Sequence, residues 1–429
     1  MILDEKIMEP ISNTSTPLDE GYYISGSRIL YLDLFWIGFV IYVLSYVIKG
    51  NVHVPLRAGE MLQFIGLVML LPTVILLLRF KFQSTYLAIV FSFFMIWSLY
   101  VIKNGFKYDY TSIKYLLLSA DYGALFYLVP FVIFLPLDFT FLKKLFNVII
   151  ILAVFYVIYT VLFIKPLLNR SSETQDVIEH LVRNLSMTAG FLLLTYKYHS
   201  SKRNFIAFSV MILSLLFTIY RARRGLSTTL ICILIPAYFI YLFSTKKKIA
   251  VIYCSVLFLI LGIFYASNLY NVTNNKLFGF MAERGTEDTR SLVEDYFYED
   301  MKEKDWIFGK GVYGSYYCPD IEEDQESDYR TLIETGYLQI ILKGGLIRLT
   351  LFLLIALPAP FLGLFFSKNM LSKAAAIWII VALISLYPAT VESFSLQYLI
   401  VWISIGICYS KQIRKLPDYR IKEYFLEMA

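Results

Sequence analysis

Charge is scarce in this chain, and cysteine and histidine are scarcer. Only 17% of the 429 residues are Asp, Glu, Lys or Arg, against 58% hydrophobic, and mean hydropathy is +0.63. Soluble globular domains carry about 25% charged residues, so that class is excluded. The four cysteines build no framework: Cys232, Cys254 and Cys408 lie in apolar runs and Cys318 stands alone in a polar stretch. Neither a disulfide scaffold nor a zinc site is suggested. No ten-residue alternation of apolar and polar residues occurs, which argues against a membrane β-barrel. No cleavable signal opens the chain either; residues 1–28 are polar and slightly acidic, and the first apolar run is expected to act as an uncleaved anchor.

What is present is a series of continuous apolar runs of about 17–22 residues, the length that crosses a hydrocarbon core of roughly 30 Å. They predict an all-α polytopic transmembrane helical bundle of about twelve spans, at 29–48, 61–78, 85–102, 120–136, 145–164, 182–196, 205–220, 226–243, 249–267, 346–366, 374–389 and 393–410. The expected organisation is an N-terminal tail (1–28), spans one to nine (29–267), a large polar loop with short helices (268–345), spans ten to twelve (346–410) and a C-terminal tail (411–429).

Alternate connections carry RFK (79–81), KK (143–144), KYHSSKR (197–203), TKKK (245–248), SKNMLSK (367–373) and the tail KQIRKLPDYRIK (411–422). All fall on one side if both termini share it, and lysine and arginine mark that side as cytoplasmic. The net charge of +6 thus reads as orientation, not as a nucleic-acid footprint.

This topology places Arg221, Arg223, Arg224 and Gly225, in TIYRARRGLSTTL, on the opposite, outer side together with the long loop. Single arginines at span ends snorkel to the interface as ordinary flanking residues. Three within four residues, on the disfavoured side and in a connection too short to keep all of them in water, point instead to a multiply charged anion. Guanidinium forks suit phosphate oxygens. Helical spacing would put Arg221 and Arg224 on one face and Arg223 on another, and Gly225 permits a bend or a close backbone approach. Lys165, Arg170, Arg183, Arg284 and Arg290 add cations to the same side; each alone is more often a solvated surface charge than a ligand.

Within the loop, DTRSLVEDYFYEDMKEKD (288–305) shows helical spacing of Leu292, Tyr296, Phe297 and Met301 and predicts an amphipathic helix. WIFGKGVYGSYY follows, with Gly309, Gly311 and Gly314 favouring a tight irregular turn. The strand context and the GKS/T ending of a nucleotide-binding loop are missing. The acidic run 320–328 reads as a solvated face. YRTLIETGYLQIILKGG predicts a shorter helix ending at Gly344-Gly345, laid against the bundle before the tenth span. Tyrosine (34) and phenylalanine (35) are abundant. Most fit interface belts and packing, and those of YGSYY (313–317) could also stack on sugar rings.

These motifs resemble the Wzy-like O-antigen polymerase and ligase family of bacterial envelope proteins. That family carries Ser-Arg-Gly or a variant at an outward helix start, where RARRGLS places Arg224-Gly225. Its large periplasmic loop runs from an Arg through a helix and a Trp to a Gly-x-Gly turn, then to a closing helix. TRSLVEDYFYEDMKEKDWIFGKGVYG and TLIETGYLQIILKGGLI follow that order and align Arg290, Gly309, Gly311, Glu334 and Gly336. The family's ligases carry a loop histidine near the closing helix. This chain has none there; its histidines are His53, His180 and His199, which favours the polymerase.

The resemblance implies a multi-pass protein of the bacterial inner membrane. Its substrate would be an undecaprenyl-diphosphate-linked oligosaccharide, its surroundings the lipid bilayer, and a further partner a chain-length regulator protein; no cofactor or metal is implied. The reaction would be glycosyl transfer from the polyprenyl diphosphate carrier to the next lipid-linked repeat unit of an O-antigen, capsule or exopolysaccharide. Expected roles are a diphosphate clamp by Arg224 and Arg290, supported by Arg221, Arg223 and Gly225. The general base would be Glu334 first and Asp328 second, although the plainer and stronger reading of Glu334 is a surface acid of its helix.

The alternatives within and beyond the family are an O-antigen ligase, a glycosyltransferase of the GT-C type and a lipid-linked oligosaccharide flippase. The GT-C type pairs acids in the first outer loop, where KGNVHVPLRAGE offers only Glu60. A flippase would carry internal repeats and broken charged helices near the midplane, and neither is evident.

Overall fold

Six of the helices open where a short polar side chain (Ser84, Asp109, Asp138, Ser200, Asn369 or Ser395) accepts one of the first free amides. In a computed structural model the described residues are 26–49; 56–253 apart from 83, 107, 120–122, 169–171, 222 and 247; 256–257; 260; 289–319; 328–389; and 393–427. Helix α1 (Gly26–Lys49) and α2 (Leu56–Leu77) form a hairpin. Gly38 and Gly66 face each other there so closely that a Cβ on either would lie 2.8 Å from the other's carbonyl oxygen. Small residues at such a crossing let two backbones touch, the main source of helix–helix adhesion in lipid.

Ser84 accepts from the Leu87 amide to open α3 (Thr85–Lys103) and Asp109 from Ser112 to open α4 (Tyr110–Leu118). Helix α5 (Ala124–Leu128) passes directly into a 3-10 turn, Val129–Phe134. Asp138 caps α6 (Phe139–Leu162). Helix α7 (Ser172–Leu181) continues through a π-helical turn, Val182–Ser186, towards a helical stretch at Ala189–Leu194. Then come α8 (Ser201–Tyr220) and α9 (Arg224–Ser244). The loop region holds α10 (Thr289–Asp300), α11 (Glu303–Phe308) and an antiparallel ribbon of β1 (Tyr316–Tyr317) and β2 (Tyr329–Arg330). The chain returns through α12 (Gly336–Ala356), α13 (Pro358–Phe365), α14 (Met370–Ser385), α15 (Leu396–Tyr409) and α16 (Asp418–Glu427).

The result is an all-α helical bundle. Among the described residues, eight stretches are long and apolar enough to cross a membrane: Arg28–Ile48, Arg57–Leu77, Thr85–Lys103, Phe139–Leu162, Val177–Leu194, Ser201–Tyr220, Arg224–Ser244 and Gly336–Phe365. Three expected spans are shorter: Ala124–Phe134, Met370–Ser385 and Leu396–Tyr409. The expected span 249–267 lies largely outside the described residues. The short ones need not match a lipid thickness, because protein surrounds them. Every residue of α15 is buried, and Trp402 at its centre packs on Phe91, Phe94, Phe352 and Tyr398 with ring centroids 5.6–6.3 Å apart. A helix apolar on every face belongs at the axis of a bundle.

The loop region rests on α12 through a second core of Val293, Phe297, Met301, Tyr316, Cys318, Ile333, Leu338 and Leu342. The helix expected over 288–305 breaks after Asp300, and Leu292 is exposed while Val293 faces inward. The apolar stripe is set by Phe297, with Val293 four residues before it and Met301 four residues after it, and Leu292 falls off that face. The helix expected to end at Gly344-Gly345 does break there: Gly345 leaves helical geometry, and α12 is two helices meeting at that kink. Gly345 has φ 68°, and a Cβ there would lie 2.0 Å from the Ile307 carbonyl oxygen.

Candidate functional site

Three distant segments meet beneath the loop region. The first is the corner between α8 and α9. Arg221 is the C-cap of α8, Arg223 is the N-cap of α9 with its amide bonded to the Thr218 carbonyl at 2.9 Å, and Arg224 begins α9. Arg221 is buried, Arg223 half-buried and Arg224 exposed. The shared face expected for Arg221 and Arg224 is therefore not formed, because the helix breaks between them and three-residue spacing no longer sets direction.

Arg223 reaches into the bundle, where its Nη1 lies 3.3 Å from Glu179 Oε2. Arg183 Nη2 donates to Glu179 Oε1 at 2.6 Å. One carboxylate on α7 thus ties together two of the cations expected on this side, and all three side chains are less than a third exposed. Nothing in the sequence singles out Glu179 except its four-residue spacing to Arg183. Next to it, His180 sets its ring edge-on to Tyr46 at 5.3 Å.

The second and third segments are the start of α10 and the approach to α12. Arg290 Nη2 donates to Glu334 Oε2 at 3.0 Å and to the Pro388 carbonyl oxygen at 3.0 Å. Gly225, one residue beyond Arg224, approaches the same carbonyl. A Cβ at Gly225 would lie 2.4 Å from Pro388 O. Gly336 donates its amide to the Leu386 carbonyl at 2.7 Å, and Thr335 bonds to Glu294 of α10. The Leu386–Ala389 turn after α14 is the meeting place of Gly225, Arg290 and Gly336.

No family model matches this chain, and no curated protein and no solved structure matches it. What the site does must be read from its own chemistry.

Arg290 and Glu334 are brought together as an ion pair open to solvent, with side chains 35% and 72% exposed. A phosphoryl group could compete with Glu334 for this guanidinium, since both are oxyanions that accept from the same fork. Asp328 is placed elsewhere. It is exposed, and its carbonyl accepts from the Cys318 amide at 2.7 Å at the base of the β-ribbon. Tyr316 on that ribbon is buried with its hydroxyl donating to Leu332 O at 3.2 Å, and burial pushes its ionisation up.

The glycine turn is an anchor. Lys310 and Gly311 donate their amides to Leu342 O at 2.7 Å and Lys343 O at 3.0 Å, and Val312 donates to Val101 O at 3.1 Å and Asn104 O at 3.2 Å. At Gly311, with φ 86°, a Cβ would lie 1.6 Å from Asn104 O, so backbone meets backbone and only glycine fits. Gly309 packs on the Gly344 amide in the same manner, Gly314 O accepts from Lys343 Nζ at 2.8 Å, and Lys310 pairs with Asp300.

Of the remaining expected cations, Lys165 is exposed, and Arg170 and Arg284 lie outside the described residues, as does His53. Glu60 pairs with Lys114 at 2.8 Å. His199 is buried beside Thr195 at 2.9 Å, at the end of α8 remote from Arg221. Arg348, inside an expected span, is buried with its guanidinium 4.5 Å from the Tyr127 ring centroid and 5.0 Å from Phe126. Such rings face a cation with their electron-rich surface. Among the described residues no group of three or more His, Cys, Asp or Glu side chains could hold a metal ion.

Proposed function

We propose that this chain is a membrane glycosyltransferase that extends a polysaccharide. It would take a glycan from a polyprenyl diphosphate carrier and join it to a hydroxyl of the next lipid-linked repeat unit. The observation that carries this reading is the convergence of Gly225 and Arg290 on the Pro388 carbonyl, with Glu334 on the same guanidinium. It brings the Arg224-Gly225 helix start, the arginine that opens the loop's first motif helix (Arg290) and the acid before its closing helix into one cluster. Those are three of the elements on which the resemblance to Wzy-like polymerases rests, with the Gly309-Gly311 turn and Gly336.

In this reaction the acceptor oxygen forms a bond to the anomeric carbon while the bond from that carbon to the phosphate oxygen breaks. The electron pair leaves on the diphosphate, and the hydroxyl proton passes to a base. The leaving group departs readily once its charge is balanced, so placement and positive charge carry the catalysis. Arg290 and Arg224 hold the diphosphate. When the diphosphate takes the Arg290 fork, Glu334 is released from its ion pair and is free to accept the proton. Arg223 and Arg183, held by Glu179, keep the potential at the corner positive.

The test is complementation of a strain deleted for the gene, with glycan length read on a gel. Arg290→Ala and Arg224→Ala should each leave single repeat units on the final acceptor. Full-length polymer from both variants would remove the proposal.

A further inference from the structure

Helix α11 lies deeper than a soluble loop would. Trp97 Nε1 of α3 donates to the Gly344 carbonyl at 2.7 Å, and the Phe308 ring sits 6.0 Å from the Trp97 ring. Between Trp97 and the end of α3 at Lys103 the helix rises about 9 Å. The end of α11 therefore lies at the depth of the last two turns of a helix long and apolar enough to cross a membrane. Apolar residues at this level are exposed: Ile96 and Leu99 of α3 are each 63% exposed, and Leu346 of α12 is 43% exposed. Ile307 and Phe308 are 46% and 41% exposed, with the Ile307 carbonyl packed against Gly345. The other end of α11 is polar, with Lys302, Glu303 and Lys304 exposed.

We propose that α11 is a lipid-inserted wedge: Ile307 and Phe308 bury in the acyl chains of the leaflet on the loop side, while Lys302–Lys304 stay among the headgroups. The occupant is phospholipid, because Ile307 and Phe308 stand exposed at the level of Trp97, within the length of a helix long and apolar enough to cross a membrane. A short amphipathic helix gains its hold from apolar area sunk a few ångströms below the headgroups, and Trp97 and Tyr100 beside it are the ring types that collect at that level. The wedge fixes the height of the loop region, and with it of Arg290, relative to the membrane surface.

The test uses the full chain in phospholipid nanodiscs, with single nitroxide labels at positions 303, 307, 308 and 99 in a cysteine-free background. Labels at 307 and 308 should favour oxygen over an aqueous nickel chelate, as Leu99→Cys does as the lipid-facing reference, and the label at 303 should favour the chelate. Chelate access at 307 and 308 equal to that at 303 overturns the wedge, and so does protection from both reagents, which would mean a protein covering. Should the cysteine-free chain fail to fold, a photoreactive benzoylphenylalanine at 308 in the otherwise native chain replaces it. Irradiation should then add the mass of a phospholipid, and none from position 303; crosslinks to protein alone reject the idea.

Discussion

Arg290 and Gly225 meet at one carbonyl oxygen. The guanidinium donates to the Pro388 carbonyl at 3.0 Å, and the glycine stands so near that a methyl group there would come within 2.4 Å of the same oxygen. The start of α9 and the start of α10 are therefore mechanically coupled through a single peptide group.

That coupling makes Gly225 sensitive to size. Gly225→Val should displace the Pro388 carbonyl, destabilise the protein by about 1–3 kcal/mol and abolish polymer. Melting in detergent together with the glycan gel checks both halves; a normal gel beside an unchanged melting point would show that the contact is dispensable.

At Arg290 the fork matters as well as the charge. Arg290→Lys keeps a cation but cannot donate to two oxyanions in one plane. Turnover on lipid-linked repeat units should drop about a hundredfold or more, the scale of losing one oriented donor to the leaving charge. Wild-type rates from the lysine variant would reduce Arg290 to a point charge.

Glu334→Gln separates the two readings of that acid. If Glu334 accepts the proton, the variant should still bind lipid-linked donor while losing transfer, since the amide retains the shape but not the basicity. Unchanged turnover would leave Glu334 as a surface partner of Arg290.

Glu179 binds two cations in a half-buried place, so its removal leaves Arg183 and Arg223 facing each other without their carboxylate. Glu179→Ala should cost roughly 3 kcal/mol of stability. Inorganic pyrophosphate should restore part of the melting temperature by taking the vacated place, and its failure to do so would show that the corner does not accept phosphate.

His199 gives the pH dependence. Burial beside Arg203 lowers its ionisation from the ordinary 6.5 to about 3, so the folded protein holds it neutral. Above pH about 6.5 the residue contributes no penalty. Below it the unfolded chain takes up a proton that the folded one refuses, and stability falls until about pH 3. Melting temperature should decline from pH 7 to pH 4 more steeply in wild type than in His199→Asn, and parallel slopes would assign the loss to other groups.

Much of this is legible in the sequence because lipid and helix geometry write it there. Continuous apolar runs mark most of the long helices, and the glycines of WIFGKGVYG mark a turn that only backbone contact explains. Arg224, Arg290 and Glu334 can each be picked out. Their meeting point cannot, since it is the main-chain oxygen of Pro388 in an apolar stretch, and nothing in a residue's identity announces its carbonyl. Glu179 is hidden for a related reason: its value lies in reaching Arg223 across the fold, not in its near neighbours. The lengths of α14 and α15 mislead because burial in protein, unlike burial in lipid, sets no fixed thickness. Arg348 reads as an interruption of a span until the rings of Phe126 and Tyr127 are seen around it.

The central position of α15 has a consequence for biogenesis. Every long helix that encloses it is synthesised earlier, so until residues 396–409 leave the ribosome those neighbours must wait around an unfilled slot. Closure of the bundle is a late event, and a nascent protein stalled ahead of Trp402 would expose its vacant axis to the quality-control proteases of the membrane.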